Sequence, residues 1–458
     1  MAAAASPTGA VRHGPAAGWR NAAAYLQDPL PYLEGVARAG AVTRVPFPRH
    51  HSFVFVSNPE LIRRVLVDEH ASFVKGRALR AARRLLGDGL LTSEGADHLR
   101  RRRMIQPVFH RAVIEAYGTA MVAAAERTCM GWRDGTVIDV DAAMTDLALD
   151  IVGKTIFNAD VESEASEIRA VLEAGMGVFH RFLLPGAELL WHLPLPATRR
   201  FTTARDRFDR MMLELIRSRQ GAQPERPDLI DHLIALHDEN GGGRLSEQEI
   251  RDEAVTLLLA GHETTARALT WTWHLLTRYP EVASRLQSEL ADVVGDRPAT
   301  AADYAELPYT QAVFRETLRL YPPVWALARI ATRDVTLGEL VVPTGGTVIM
   351  SQWVVQRSAD NFTHALAFRP ERWLSGPQPH PGAYFPFGGG PRLCIGERFA
   401  MLEGVLVLAT IARRWQVTTL DSTTRIDARF TLRPRGGLRA QVSATPEAHR
   451  QTGGTWAS

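Results

Sequence analysis

The ten residues Phe387 to Gly396, FGGGPRLCIG, constrain this chain more than any other stretch. A single cysteine, Cys394, closes a glycine-rich loop and stands immediately before a helix-like run, IGERFAMLEGVLVLATIA. Gly388, Gly389 and Gly390 permit backbone turns closed to other residues and a close approach to a bound group. Pro391 stiffens the exit. A cysteine at a helix start lies where unpaired amide N–H groups and the macrodipole favour an anion, which lowers its pKa below the free value of about 8.5. The expectation is a thiolate, either a metal ligand or a nucleophile.

No Cys-x-x-Cys pair or neighbouring histidine completes a tetrahedral zinc site, and the other cysteine, Cys129, lies far upstream in a helical stretch. One thiolate can instead be the axial ligand of a haem iron, because the macrocycle supplies the equatorial ligands. The pattern Phe387-x-x-Gly390-x-Arg392-x-Cys394-x-Gly396 resembles the cysteine-loop signature of the cytochrome P450 haem-thiolate monooxygenases. The resemblance runs from about residue 22 to residue 442. It implies a mainly α fold with small β-sheets and a haem b cofactor (iron-protoporphyrin IX). Cys394 would be its metal ligand, with Phe387 and Gly396 beside the cofactor.

A second centre is GGGRLSEQEIRDEAVTLLLAGHETTARALTWTWHLLTRYP. Ser246 and Glu249 have capping-box spacing, and the helical pattern then runs to Tyr279 before Pro280 stops it. A glycine, an acid and two threonines in the middle of an apolar helix lower its propensity, by about 1 kcal/mol for the glycine alone. Leu257, Ala260, Gly261, Thr264 and Ala268 share one face, a smooth strip with a single hydroxyl that can lie flat against a macrocycle. His262-Glu263 does not make a zinc-protease helix, since residue 266 is alanine. The segment resembles the oxygen-activating helix of the same family. There Thr264 would give a hydrogen bond to the bound oxygen and hold a water, and Glu263 would relay protons from solvent. Read locally, the lesser alternative for Thr264 is a helix threonine bonding back to a carbonyl.

The third motif is Glu316-Thr317-Leu318-Arg319, with FRPERW at 368–373. Glutamate and arginine three apart share a helix face, a common arrangement of small value on a surface. By the resemblance, Arg372 completes a Glu316, Arg319, Arg372 cluster that locks the helix to the loop leading into the cysteine segment, a structural role.

Other assignments follow the resemblance. EGADHLRRRRMIQPVFH reads as a helix in which His98 and Arg102, four apart, share a face. They would pair with the haem propionates, which need cationic partners once buried. Arg100, Arg101 and Arg103 would remain outside, available to an acidic electron donor. Arg329 and Arg392 match the second and third propionate positions. The leucine-rich stretch 73–92 is either packed over something apolar or a short helix with a wet face. In the family it lines the substrate pocket, here Leu86 and Leu90, joined by Leu257, Val324, Trp325, Leu327 and Thr431. The apolar stretch 175–196 is a loop over the core or, by the resemblance, a mobile lid. FTLRPRGGLRAQV looks like a hairpin around Gly436-Gly437. His50 and His51 read as solvated turn residues.

The 458 residues show no Ser/Gly/Pro linker or charge block after the first twenty, so one domain, 22–445, is expected, with a disordered extension 1–21 and a flexible tail 446–458. The first twenty residues lack a signal-like or transmembrane apolar run, and two cysteines fit a reducing compartment; a cytoplasmic protein without a membrane anchor is expected. The net charge of +3, nearly all from arginine on the basic side, makes no nucleic-acid tail. The resulting reading is a monooxygenase that takes dioxygen, an apolar small-molecule substrate and electrons from a separate ferredoxin or flavodoxin with its reductase. Arg392 and AGHETT make it resemble the fatty-acid and terpenoid hydroxylases, and a terpenoid is favoured. A fatty-acid hydroxylase or peroxygenase is the alternative reading within the fold. A haem-based sensor or binding protein would need the thiolate but no proton path.

Overall fold

The alternating stretches VTRVP and SFVFV form antiparallel strands, Val42–Pro46 and Ser52–Val56, in the strand, turn, strand order read from the sequence. Thr347–Met350 joins the second in parallel, Leu327–Ala331 joins that antiparallel, and Phe73–Lys75 ends a five-stranded sheet. Val54, Val56, Val348 and Met350 pack with Ile62, Leu66, Phe73 and Phe385 in one apolar core. Asn58 caps Pro59–Arg63 by accepting from the Leu61 N–H at 3.0 Å, and Pro59 takes the first helical position, where its missing N–H costs nothing.

The structure, a computed structural model, describes residue 11 and residues 16–48, 52–157, 196–221, 228–238, 243–421, 424–428 and 430–445. His50, His51 and the stretch 175–195 lie outside them. The chain forms two compact units, residues 1–77 with 315–394 and residues 78–314 with 395–458. Neither is contiguous, so no linker could mark the division in the sequence. The first helix, Ala17–Gln27, begins inside the expected N-terminal extension: Ala17 and Asn21 are buried, and Asn21 Nδ2 donates to the Pro46 carbonyl at 3.0 Å.

The second unit is built on one helix of 32 residues, Glu247–Arg278. Its ends are set locally, by the reciprocal Ser246–Glu249 box at the start and by Tyr279 and Pro280 at the stop. Val140–Val152, Pro196–Arg219 and Glu397–Arg414 pack around it, and Gly118–Met130 packs on the last of these. Within Glu397–Arg414, a Cβ on Gly404 would stand 2.3 Å from the Phe314 ring, so glycine is what lets the two approach. Cys129 is a buried core residue whose thiol is pushed up to about 12 by desolvation.

The expected hairpin around Gly436-Gly437 does not form. Arg433–Pro434 pairs with Ile426–Asp427, whereas Arg439–Ala444 pairs with Trp415–Thr419 and with Val137–Asp139. Both glycines take left-handed φ, and a Cβ on Gly437 would meet the Asp139 carboxylate at 2.4 Å. The glycines turn the chain from one sheet into another.

Candidate active site

The predicted residues divide between the units. In the first, Gly388 and Gly390 have φ of +78° and +65°, and a Cβ on Gly390 would stand 2.1 Å from the Leu66 carbonyl oxygen. The loop therefore requires glycine there. The Cys394 N–H donates to the Phe387 carbonyl at 2.9 Å and ties the loop's ends together. Helix Glu397–Arg414 is capped at Gly396, so Cys394 precedes the cap by two residues instead of standing immediately before the helix. Its side chain is exposed. Arg329 is buried on Leu327–Ala331, with Nη1 donating to the Ala328 carbonyl at 3.0 Å. Trp325 is buried, its carbonyl accepting from Ser351 Oγ at 2.8 Å, while Val324 is exposed and Leu327 and Arg392 are partly buried.

The structure brings Glu316, Arg319 and Arg372 together. Arg319 grips Glu316 through Nε and Nη2 at 2.9 and 2.8 Å, and Arg372 Nε reaches the same carboxylate at 2.9 Å. Two donors that sequence reasoning missed complete the shell: the Arg369 N–H at 3.0 Å and Trp373 Nε1 at 2.9 Å. The remaining Arg319 donors go to the carbonyls of Gln356, Ala365 and Ala367. Both Glu316 and Arg319 are fully buried.

In the second unit, every residue from Ile250 to Leu276 is buried except Leu259, Ala260, Gly261 and Thr264. Of the face read from the sequence, Ala260, Gly261 and Thr264 lie open, whereas Leu257 and Ala268 are buried. Thr264 Oγ1 donates to the Ala260 carbonyl at 2.7 Å, the local back-bond. Glu263 is buried, its carboxyl raised by desolvation, and it accepts from Thr431 Oγ1 at 2.7 Å. Thr431 is thus a support for Glu263, with its hydroxyl spent there rather than turned to a pocket. Leu86, Leu90 and Leu257 belong to one apolar cluster, with Leu91 and Leu259 packed against it.

His98 is buried and Arg102 half-buried on helix Gly95–Ile105, four residues apart as expected. The other arginines need correction. Arg101 is buried and bound to Asp97, Glu249 and Glu253, at 2.9, 3.3 and 3.1 Å, and Arg100 pairs with Glu249 at 3.1 Å. Of the three assigned to the outside, Arg103 alone is exposed. Four consecutive arginines must point around the helix, and one of them falls on the buried side. The sequence reading also missed Glu403. It is fully buried, with the Thr265 hydroxyl as polar neighbour, and desolvation pushes it up to about 8. Its signal was an acid within the apolar run FAMLEGVLVL.

These residues fit a haem held by one sulfur: an exposed cysteine closes a loop that only glycines can form, and an otherwise buried helix carries one open strip of small residues. The cytochrome P450 family profile matches residues 38–438. The chain belongs to the cytochrome P450 family. This P450 is similar to cyclooctatin synthase of Streptomyces melanosporofaciens, 38% identical over 80% of this chain and 81% of that protein. It is similar to cyclooctat-9-en-7-ol 5-monooxygenase of the same organism, 36% identical over 88% of each chain. It also matches pentalenene oxygenase of Streptomyces avermitilis, 34% identical over 86% of this chain and 88% of that protein. The mainly helical fold with small sheets is that of the family. This P450 is a monooxygenase whose cofactor is haem bound through a cysteine thiolate, acting on a small molecule with dioxygen and redox partners. Among the described residues no helix is long and apolar enough to cross a membrane.

Proposed function

We propose that this P450 hydroxylates a terpenoid hydrocarbon, using electrons from a separate ferredoxin or flavodoxin and its reductase. The observation that carries the substrate class is the group of relatives named for cyclooctatin, cyclooctat-9-en-7-ol and pentalenene, all matched over four fifths or more of the chain. Cys394 would hold the haem iron through its thiolate. His98, Arg102, Arg329 and Arg392 would serve the propionates, and Ala260 and Gly261 would give the flat surface. When bound, the haem supplies dioxygen activation and one-oxygen transfer, with electron density pushed from the thiolate.

The chain's own residues manage water and protons. Leu86, Leu90 and Leu257, packed in one apolar cluster of the second unit, offer an apolar wall that excludes bulk water. Thr264 has its proton on the Ala260 carbonyl, leaving its oxygen lone pairs free to accept; it donates elsewhere once that back-bond is released. Burial lets Glu263 keep a proton more readily than an exposed acid, and Thr431 fixes the orientation of its carboxyl.

Titration of the holoenzyme with terpenes and fatty acids tests the substrate class: a spin-state change with terpenes is expected, and one with fatty acids alone overturns it. Thr264→Ala tests the proton role. It should retain haem and substrate binding, while product per electron falls about tenfold or more, as expected when a positioned proton donor is lost. An unchanged product yield would remove Thr264 from the mechanism.

A further inference from the structure

Residues 87–90, Gly-Asp-Gly-Leu, lie against the first turns of the long helix in a register set by two adjacent acids. The Asp88 N–H donates to Asp252 Oδ2 at 2.7 Å, and the Leu90 N–H donates to Glu253 Oε2 at 2.8 Å. The glycines that precede each of these contacts make the approach possible. A Cβ on Gly87, whose φ is +72°, would stand 2.2 Å from the Asp252 carboxylate, and a Cβ on Gly89 would stand 2.2 Å from Thr256 Oγ1. Thr92 closes the turn on itself through the Gly87 and Gly89 carbonyls. The other Glu253 oxygen accepts from Arg101 Nη1 at 3.1 Å, in a side chain with no exposed surface.

This turn carries Leu90, packed with Leu86 and Leu257 in the apolar cluster beside the open strip of the long helix. We propose that Glu253 is a positioning residue for the substrate: by holding the Leu90 N–H it fixes the leucine wall of the pocket, with Arg101 as its brace. The inference deepens the reading of an apolar substrate pocket and rests on it. No contact between Glu253 and substrate is required, since the acid acts through the backbone of the turn.

The same geometry makes the wall responsive to protons. Facing Glu253 are Arg101 from helix Gly95–Ile105, and Asp252 and Glu249 on its own helix. Asp97 shares Arg101, and Asp88 in the turn is bound to Arg83. Desolvation outweighs the Arg101 and Leu90 partners and raises Glu253 to about 7. The Leu90 N–H bond by itself favours the ionised acid, so by linkage it is stronger to the carboxylate than to the protonated carboxyl, and the hold on the turn tightens as pH rises through about 7.

The test uses holoenzyme and two probes, 4-phenylimidazole, which extends into the pocket, and imidazole, which needs only the iron. Glu253→Ala should weaken 4-phenylimidazole about tenfold, the scale of one charge-assisted hydrogen bond, and leave imidazole within about twofold. Glu253→Gln keeps an acceptor for the Leu90 N–H and should restore binding. Hydrogen-exchange protection at Leu90, corrected for intrinsic rates, should rise between pH 6 and 8 in the natural protein and stay level in Glu253→Gln. Loss of Leu90 protection in Glu253→Ala with both ligands unchanged would overturn the positioning role. Unchanged protection would overturn the hold itself. A ferrous-carbonyl spectrum lacking the thiolate signature would instead sink the haem-thiolate reading, while hydrogen exchange still reports on the turn.

Discussion

Each unit contains a buried knot of carboxylate and guanidinium, and the two are built on opposite plans. Glu316 in the first unit accepts from two nitrogens of Arg319, from Arg372, from a backbone N–H and from an indole, and Arg319 spends its other donors on three carbonyls. Glu253 in the second unit has one guanidinium nitrogen and one amide, and its arginine is divided among three acids. A saturated knot has a single arrangement and acts as a rigid fastening. An acid with few partners and no exposed surface keeps a choice of protonation state, and the segment it holds inherits that choice. The first plan suits a loop that must present one sulfur in one place; the second suits a wall that admits a substrate.

The largest effect expected from this contrast is at Glu316. Glu316→Ala removes the carboxylate that Arg319, Arg372 and Trp373 share, and breaking a buried pair of this kind costs about 3–5 kcal/mol. Haem-bound protein should then not accumulate, as measured by the ferrous-carbonyl spectrum and by chemical denaturation. A variant that folded and bound haem normally would show that saturation has no structural consequence and erase the distinction.

Legibility in the sequence followed the range of each interaction. The ends of the long helix were readable because Ser246 and Glu249 cap within one turn and Pro280 stops the chain locally. The strands at 42–46 and 52–56 were readable from alternation, and Glu316 with Arg319 from helical spacing. The hold on Leu90 was not readable, because its two partners are 163 positions apart and an amide hydrogen bond leaves no residue-type signature. For the same reason Thr431 was read as pocket lining and not as the partner of Glu263, 168 positions away. Arg101 was misplaced because four like residues in a row conceal which one faces inward, and the two strands beside Gly436-Gly437 were paired with each other because neighbours in sequence are the simplest partners. Local chemistry placed the elements; contacts through space fixed what each side chain does.

A smaller, more local effect separates the plans at their glycines. Gly87→Ala forces a side chain into left-handed backbone and into the Asp252 carboxylate, a strain of about 1–3 kcal/mol that the turn can relieve by moving away. Protection of the Asp88 and Leu90 amides should be lost while the global unfolding midpoint changes little. Gly376→Ala is the control, since its φ of +101° is equally unsuited to alanine but nothing stands within 4 Å of the new carbon. Equal effects at the two sites would mean that backbone conformation alone, and not the approach to Asp252, sets the turn.

The smallest effect comes from the acid with least support, Glu403, which extends the series from five donors through two to a single hydroxyl neighbour. Its pKa rises from 4.5 to about 8 on folding, so the native state holds a proton that the unfolded state has already released. Stability from this group is complete below the unfolded value and is lost as pH climbs through the folded one, at about 1.4 kcal/mol per pH unit where the difference is one full proton. From pH 7 to 8 it is the main contributor: His262 and His274, both lowered to about 4 by burial, are neutral there in the native state and largely neutral unfolded, and Glu253, raised to about 7, adds a smaller share as it finishes titrating. Glu403→Gln should therefore recover about 1 kcal/mol between pH 7 and 8, measured by denaturant unfolding at each pH. Adding Glu253→Gln should flatten what remains of the slope. A slope that survives both neutral substitutions would show that partner number does not govern how these buried acids respond to protons.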